Sequence, residues 1–312
     1  MSKTGIAPQP TTKTAPVSFI TKSYYMLNTL HLLNEGKTKL VYEATGDNAN
    51  KVWLIAKDDI TAGDGAKHDI IVGKAQFANK TACNVFRLLQ KLGIAVAFDH
   101  ELDPIETVEG FRYGFQAPAC IMLPYEVVVR GEAHGSYLKR KPMLEKGRKF
   151  AQPIIEFFLK TKDRKWKDYN LVYDDPLMRL DGDGMIHLFN PSEPDTNTSP
   201  AKPFLSLPKS EVFTFRFEEY LFCTMKEMAC VTFLFLRESW LKLERNLVDF
   251  KVEFGIDRSD KLLLADVIDN DSWRVLMGDE HISKEVYRQG GDLATVTQKY
   301  REVAELTDRF LP

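Results

Sequence analysis

Cysteine is scarce in this sequence and nowhere arranged for chemistry. The 312 residues hold four, Cys83, Cys120, Cys223 and Cys230, with no CxxC pair and no histidine nearby at metal-ligand spacing. Neither a zinc site nor a disulfide framework is signalled, and reduced core thiols are expected. An apolar leader is also missing: residues 1–16 are rich in Thr, Pro and Lys, which argues against a secretory signal and for a short disordered arm. The most apolar later stretch, 213–236, is interrupted by Arg216, Glu218, Glu219, Lys226 and Glu227, which excludes an ordinary membrane span. There is no excess of one charge sign: the formal net charge of -2 gives no global reason to expect nucleic acid or an acidic membrane as partner. No internal repeat is evident. A cytoplasmic protein is expected, long enough for one two-lobed domain or two small ones.

What is present is concentrated in 249–274, DFKVEFGIDRSDKLLLADVIDNDSWR. Asp249, Lys251 and Glu253 alternate with Phe250, Val252 and Phe254, so a strand here has one charged and one apolar face. The segment 256–260 has hairpin-turn composition and 261–268 reads as a returning strand. A two-residue loop at Arg258 and Ser259 would pair Lys251 with Asp266 and set Glu253 diagonally beside it. Three carboxylates and a lysine on one face call for a compensating cation, and hard oxygen ligands suit Mg²⁺ shared with nucleotide phosphates. A solvated hairpin face would show the same alternation.

Upstream, NEGKTKLVYE places Gly36, Lys37 and Lys39 before a strand, where backbone amides and ammonium groups could lie over a polyphosphate. It lacks the Walker pattern, and a lysine-decorated hairpin is the commoner reading of such a stretch. A turn is expected at Gly46, Asp47 and Asn48, and AGDGA sets Asp64 on a glycine-flanked loop. The apolar rhythm of 75–92 predicts a helix closed by Gly93. In RGEAHGSYLKRKP, Arg130, Lys139, Arg140 and Lys141 surround Gly135 and Ser136, a composition that suits a phosphorylated small molecule or a solvated basic helix end. A strand is expected at 153–160, little structure over the Pro-, Asn- and Gly-rich 161–208, and a long helix over 208–244 with Ser210 as N-cap. A final helix is expected over 286–311, with Gly290 and Gly291 near its start. Strands and helices in this order make an α+β arrangement.

Taken together, NEGKTKLVYE, ITAGDGAKHDIIVGKAQFANK, PYEVVVRGEAHGSYLKR, PIIEFFLK, LVDFKVEFG, LLLADVIDNDSWR and EVYRQGGDL resemble the SAICAR synthetase family, in order and from residue 33 onward. The resemblance implies a two-lobed α+β fold related to ATP-grasp and kinase-like architectures, with the active site in the cleft between lobes. Beyond the disordered arm, expected over 1–24, the resemblance implies an N-terminal nucleotide-binding lobe over 25–118 and a substrate and metal lobe over 119–312, within which the loop-rich 161–208 falls. The implied reaction is an ATP-dependent ligation in purine biosynthesis. It joins carboxyaminoimidazole ribonucleotide (CAIR) to L-aspartate through an acyl phosphate, giving SAICAR, ADP and phosphate. ATP and Mg²⁺ are the implied cofactors, a homo-oligomer is compatible, and a stand-alone enzyme is expected.

Residue by residue, the resemblance places Lys251, Asp249 and Arg130 at the reaction, Lys251 as a charge stabiliser. Glu253 and Asp266 match carboxylates of the Mg²⁺-nucleotide site; Gly36, Lys37 and Lys39 match a phosphate-covering loop; Ala119 and Met122 match an inter-lobe linker facing adenine; Lys160 matches a lysine near the nucleotide. Asp64, Arg130, Ser136, Asp249, Lys251 and Arg274 match substrate contacts, with Arg274 on the ribonucleotide phosphate. The chain departs from the family pattern at Glu132 and after Lys160. There Asp163, Asp168, Asp174 and Asp175 all compete for the role of a substrate-contacting aspartate, and none is assigned. A small-molecule kinase on a related fold, or an inactive nucleotide-binding module, are the alternatives.

Overall fold

A computed structural model describes residues 27, 30–44, 50–63, 65–213 and 216–311. The expected N-terminal arm, the turn at Gly46, Asp47 and Asn48, and Asp64 lie outside them.

Strands β1 (Leu32–Glu35), β2 (Lys39–Glu43) and β3 (Lys51–Ala56) form an antiparallel meander. Helix α1 (Lys74–Lys91) follows, then β4 (His100–Glu101) and β5 (Gly114–Pro118), completing a five-stranded sheet in the order β1-β2-β3-β5-β4. The Asp58 carboxylate caps the start of α1, accepting from the N–H groups of Gly73 (3.1 Å) and Ala75 (2.8 Å). At the other end Gly93 takes φ +80°, so the predicted glycine stop is present. Phe86 of α1 packs edge-on to Phe115 of β5, their ring centres 5.6 Å apart.

The chain then changes sheet. β6 (Cys120–Glu132) is followed by α2 (Ser136–Arg140), β7 (Lys149–Leu159), β8 (Leu177–Leu180), β9 (Met185–Phe189) and β10 (Leu205–Pro208). Next come α3 (Lys209–Val212), α4 (Arg216–Lys242), β11 (Asn246–Asp257), β12 (Leu262–Ala265), β13 (Trp273–Met277) and β14 (Glu280–His281). They form a nine-stranded sheet in the order β10-β9-β8-β7-β6-β11-β13-β14, with β12 also paired to β11. The loop-rich expectation for 161–208 is therefore corrected: β8, β9 and β10 inside it extend the main sheet. Each is only four or five residues long, too short to stand out between Pro, Asn and Gly turns.

α4 covers one face of this sheet. Its buried Phe222, Met225, Ala229, Phe233, Leu236 and Trp240 recur every three or four residues, a stripe along one side of the helix. Phe222 stacks on Phe157 (3.9 Å between ring centres), Phe233 meets Phe250 and Trp240 meets Trp273. The neighbours of these sheet residues, Glu156, Asp249 and Arg274, point to the opposite face. Ser210 does not cap this region; Pro208 precedes α3 without a side-chain cap.

The predicted C-terminal helix is two helices, α5 (Glu285–Arg288) and α6 (Leu293–Thr307). Gly290 at φ +89° breaks the run, and Asp292 recaps it by accepting from the Thr295 N–H at 2.9 Å. Tyr287, Val296 and Tyr300 pack with Ile60, Ile71 and Ala78, so the chain end returns to elements preceding residue 119. The sheets meet again where Ala97 donates to the Leu264 carbonyl (2.8 Å) and Leu264 to that of Ala95 (2.9 Å). Among the described residues no helix is long and apolar enough to cross a membrane.

Candidate active site

The charged face of β11 lies against β6 with Asp249 opposite Arg130, Lys251 opposite Val128 and Glu253 opposite Glu126. The predicted hairpin register is off by one. Glu253 stands opposite Ala265 of β12, because the turn holds three residues rather than two. Asp260 adopts φ +60°, Asp257 donates its N–H to the Lys261 carbonyl (3.1 Å), and the Asp257 carboxylate accepts from the Ser259 and Lys261 N–H groups. Lys251 and Asp266 are consequently not cross-strand partners. At Asp266, φ +63°, the chain leaves the sheet, and the Lys251 N–H donates to Ser272 instead (2.8 Å).

Two groups of charge lie on this face and a third stands beside it. In the first, Arg130 and Arg274 share Asp249: Arg130 Nη1 donates at 3.0 Å and Arg274 Nη1 at 2.8 Å to Oδ2. Arg274 Nε and Arg288 Nη1 each donate to Glu285 Oε2 at 3.0 Å. Burial would lower the Arg274 pKa, but Asp249 and Glu285 hold it above the ordinary range. These guanidinium groups, with Ser136 and Lys251, border a cavity of about 300 Å³. Gly135 makes the arrangement sterically possible: it sits at φ +55°, and a Cβ there would come within 2.7 Å of Arg274 Cζ.

In the second, Lys251 Nζ donates to Glu253 Oε1 (2.7 Å) and Glu126 Oε1 (3.1 Å), while Lys160 Nζ donates to Glu253 Oε2 (2.6 Å). Desolvation opposes the Lys251 charge, but Glu126, Glu253 and Asp266 outweigh it and raise its pKa. Asp266 accepts from Lys39 Nζ and from the Val267 N–H. Burial would raise its pKa, yet Lys39 and Lys251 hold it well below the usual carboxylate range. Lys160 is delivered by a turn in which Asp175 accepts from the Thr161 N–H (2.8 Å) and Asp174 from the Arg164 N–H (2.6 Å).

The third group comprises Lys74, Asp269, Asp271, Lys284 and Tyr300. Lys74, only 1% exposed, lies 3.7 Å from Asp271, Lys284 lies 3.6 Å from it, and the Tyr300 hydroxyl donates to it. Burial pushes Asp269 up, aided by Asp271, to about 6; burial pushes Asp271 up too, but Lys74 and Lys284 bring it down to about 2. Lys74 and Asp269 border a narrow cavity together with Thr38 and Lys39 of the β1–β2 hairpin.

The expected residues Arg130, Ser136, Asp249, Lys251 and Arg274 thus surround one cavity, with Lys39, Lys160, Glu253 and Asp266 adjoining Lys251. Gly36 and Lys37 occupy the exposed hairpin tip, and Gly36 donates to the Lys39 carbonyl (2.8 Å). Ala119 and Met122 lie where the chain passes between sheets; Met122 is exposed and faces Gly255. A Cβ on Gly255 would strike that of Cys120 at 2.7 Å. The basic cluster is smaller than expected, since Arg140 donates to Glu156 (2.7 Å) and Lys141 to Asp195 (2.8 Å), away from the cavity. Glu126, Arg288 and the Lys74 group were missed. Arg288 lies within EVYRQGGDL, but nothing in that string says its side chain returns to the cavity.

Known proteins resemble this chain along most of its length. The family model described as SAICAR synthetase matches residues 32–181 and 206–307. The phosphoribosylaminoimidazole-succinocarboxamide synthase of Chloroflexus aggregans is 37% identical over 288 residues, 90% of this chain and 96% of that protein. A solved SAICAR synthetase in complex with ADP superposes with a TM-score of 0.63 at 27% identity, covering 88% of this chain and 96% of the other. The enzyme of that synthase name from Ehrlichia chaffeensis shares the fold at a TM-score of 0.67 and 24% identity, over 90% of this chain and all of that one.

Proposed function

Because the chain belongs to the SAICAR synthetase family, we propose that it is an ATP-dependent ligase of purine biosynthesis joining the CAIR carboxylate to the amino group of L-aspartate, with ADP and phosphate released. The observation that carries the reading is the continuity of β11. Asp249 is held between two guanidinium groups at one end of the charged row, and Glu253 between two ammonium groups at the other.

The chemistry explains the need for both ends. A carboxylate is a poor acyl donor because its leaving group would be oxide; once phosphorylated by ATP it loses phosphate instead when the aspartate amine attacks. Arg130, Ser136, Arg274 and Arg288 suit the ribonucleotide phosphate, since paired guanidinium donors match phosphate oxygens. Lys251, fixed in the charged state, neutralises the carboxylate as negative charge accumulates next to it.

Mg²⁺ fits the other end. Glu253 and Asp266 offer hard oxygens whose negative charge is met by Lys39, Lys160 and Lys251. An ion held by these two carboxylates would complete its shell with nucleotide phosphates and water. Bound there, Mg²⁺ would supply charge neutralisation for the phosphates. Gly36, Lys37 and Lys39 are positioned for the phosphate end of the nucleotide, and Ala119 and Met122 for the base. The division at 118/119 into a nucleotide lobe and a substrate lobe, and work in the cytoplasm, belong to the same reading.

The test is to supply the purified chain with Mg²⁺-ATP and measure ADP. Release requiring both CAIR and L-aspartate, with SAICAR as product and rescue of a purine auxotroph lacking this step, is the expected result. Sustained, multiple-turnover ADP formation with an acceptor other than CAIR and no need for aspartate would point to a kinase; a single equivalent of ADP per site from CAIR alone is the acyl-phosphate half-reaction of the ligase.

A further inference from the structure

Arg130 reaches the substrate cavity, but the groups that aim it stand outside. Its Nη1 donates to Asp249 (3.0 Å) and its Nη2 faces Ser136 Oγ at 3.5 Å, whereas its Nε is held by Glu156 Oε2 at 2.7 Å. Glu156 belongs to β7 and is the diagonal cross-strand neighbour of Arg130, because Val128 pairs with Glu156 and Arg130 with Ile154. It does not line the cavity. Its two oxygens also receive Arg140 Nη2, at 2.7 Å each. Arg140 continues outward: its Nη1 donates to the Pro191 carbonyl (2.9 Å), and its own carbonyl accepts from the Asp195 N–H (2.6 Å). Asp195 is locked in turn by Lys141 (2.8 Å) and Arg179 (2.9 Å).

We propose that Glu156 is a positioning residue for Arg130, and that Arg140 with the 190–195 segment latches Glu156, so that affinity for the phosphorylated substrate is set partly from outside its cavity. The inference rests on the proposed function. Four guanidinium groups, Arg130, Arg140, Arg274 and Arg288, meet three carboxylates, Asp249, Glu156 and Glu285. The balance leaves one positive charge for an anionic ligand, while every carboxylate is shared by two guanidinium groups and so cannot move independently. A buried guanidinium freed from one such partner turns toward the remaining one. For Arg130 that partner is Asp249, itself on the cavity wall, so the turn would commit more of its donors to Asp249 and fewer to a ligand.

Two explanations of Glu156 differ in sign. If it merely tempers positive charge, Glu156→Gln makes the site more cationic and binding of the ribonucleotide tighter. If it positions Arg130, the same change loosens binding while the nucleotide end is untouched.

The experiment compares full-length wild type, Glu156→Gln and Arg140→Gln, with KM values for CAIR and ATP, kcat, and calorimetric Kd for CAIR without ATP. Expected for Glu156→Gln is a rise of about tenfold in the CAIR KM and Kd, with ATP KM and kcat within about twofold; Arg140→Gln moves the same constants by about threefold. An unchanged or lower CAIR Kd in Glu156→Gln overturns the proposal, as does a parallel loss for both substrates. Should Glu156→Gln fail to fold, Arg140→Gln decides, and an unchanged Kd there overturns it. Wild type that neither binds CAIR nor forms SAICAR refutes the proposed function, and this inference with it. Wild type that binds CAIR without turnover still reads the latch through Kd.

Discussion

Glu126 and Glu253 stand directly opposite each other on neighbouring antiparallel strands, and Lys251 donates to both. Like charges in that position destabilise a sheet, so the pair persists because cations lie over it. Lys251 therefore has two duties at once, holding the folded sheet together and supplying positive charge at the reacting end of the proposed substrate.

The two duties are separable. Lys251→Met is expected to lower kcat by at least about 10²-fold and to destabilise the fold by about 1–2 kcal/mol, since it leaves the half-buried Glu126 unpaired and the buried Glu253 with Lys160 alone. Adding Glu126→Gln removes the repulsion and should restore most of the stability in a denaturant titration, but none of the turnover. Recovery of SAICAR formation by the double variant would show that Lys251 is structural only.

Glu253 and Asp266 make a prediction that needs no catalysis. Calorimetry of ADP binding with and without Mg²⁺ should show tighter binding with the ion in wild type. In Glu253→Gln and Asp266→Asn that gain should shrink by about tenfold or more, in line with losing one of two protein ligands to a hard cation. Variants that keep the full Mg²⁺ effect would place the ion elsewhere.

What the sequence disclosed was what periodicity carries. The alternation of charged and apolar residues over 249–254 and the helix ending before Gly93 both stand in the structure, the helix running Lys74–Lys91. Family resemblance added ligand roles to that pattern. Hidden were features decided by single dihedrals or distant partners. Asp260 in the left-handed region added one residue to the hairpin loop and shifted the register, and no composition rule requires aspartate to take φ +60° there. Arg140 and Lys141 looked like ligand-binding cations because Glu156 and Asp195, which neutralise them, lie 16 and 54 residues away in sequence. The short strands β8 to β10 became legible only once β7 offered them an edge.

Asp269 predicts a pH dependence. Its pKa is about 6 in the folded chain, above the ordinary value of 3.8, because burial and Asp271 disfavour its charge. The folded state thus binds more protons than the unfolded state between those values, so this group makes stability fall as pH rises from about 4 to about 6. Asp269→Asn keeps an acceptor for the Asp271 N–H (2.8 Å in wild type) and removes the buried charge. It should raise stability by about 1–3 kcal/mol in urea titrations at pH 8 and leave it unchanged at pH 4. A gain of equal size at both pH values would mean that packing, not ionisation, is responsible.

Gly135 joins backbone strain to substrate affinity. At φ +55° and ψ −132° it occupies a region open essentially to glycine alone, and the space a Cβ would need is filled by the Arg274 guanidinium. Gly135→Ala therefore has two routes to relief, and they leave different traces. If the backbone holds, Arg274 is displaced from Asp249 and the CAIR KM rises by about tenfold or more while the ATP KM is kept. If the backbone yields, α2 shifts with Ser136 and stability drops by about 1–3 kcal/mol. Arg274→Ala opens the space in advance, so Gly135→Ala added to it should weaken CAIR binding much less than it does alone. Full additivity of the two changes would show that Gly135 does not act through Arg274.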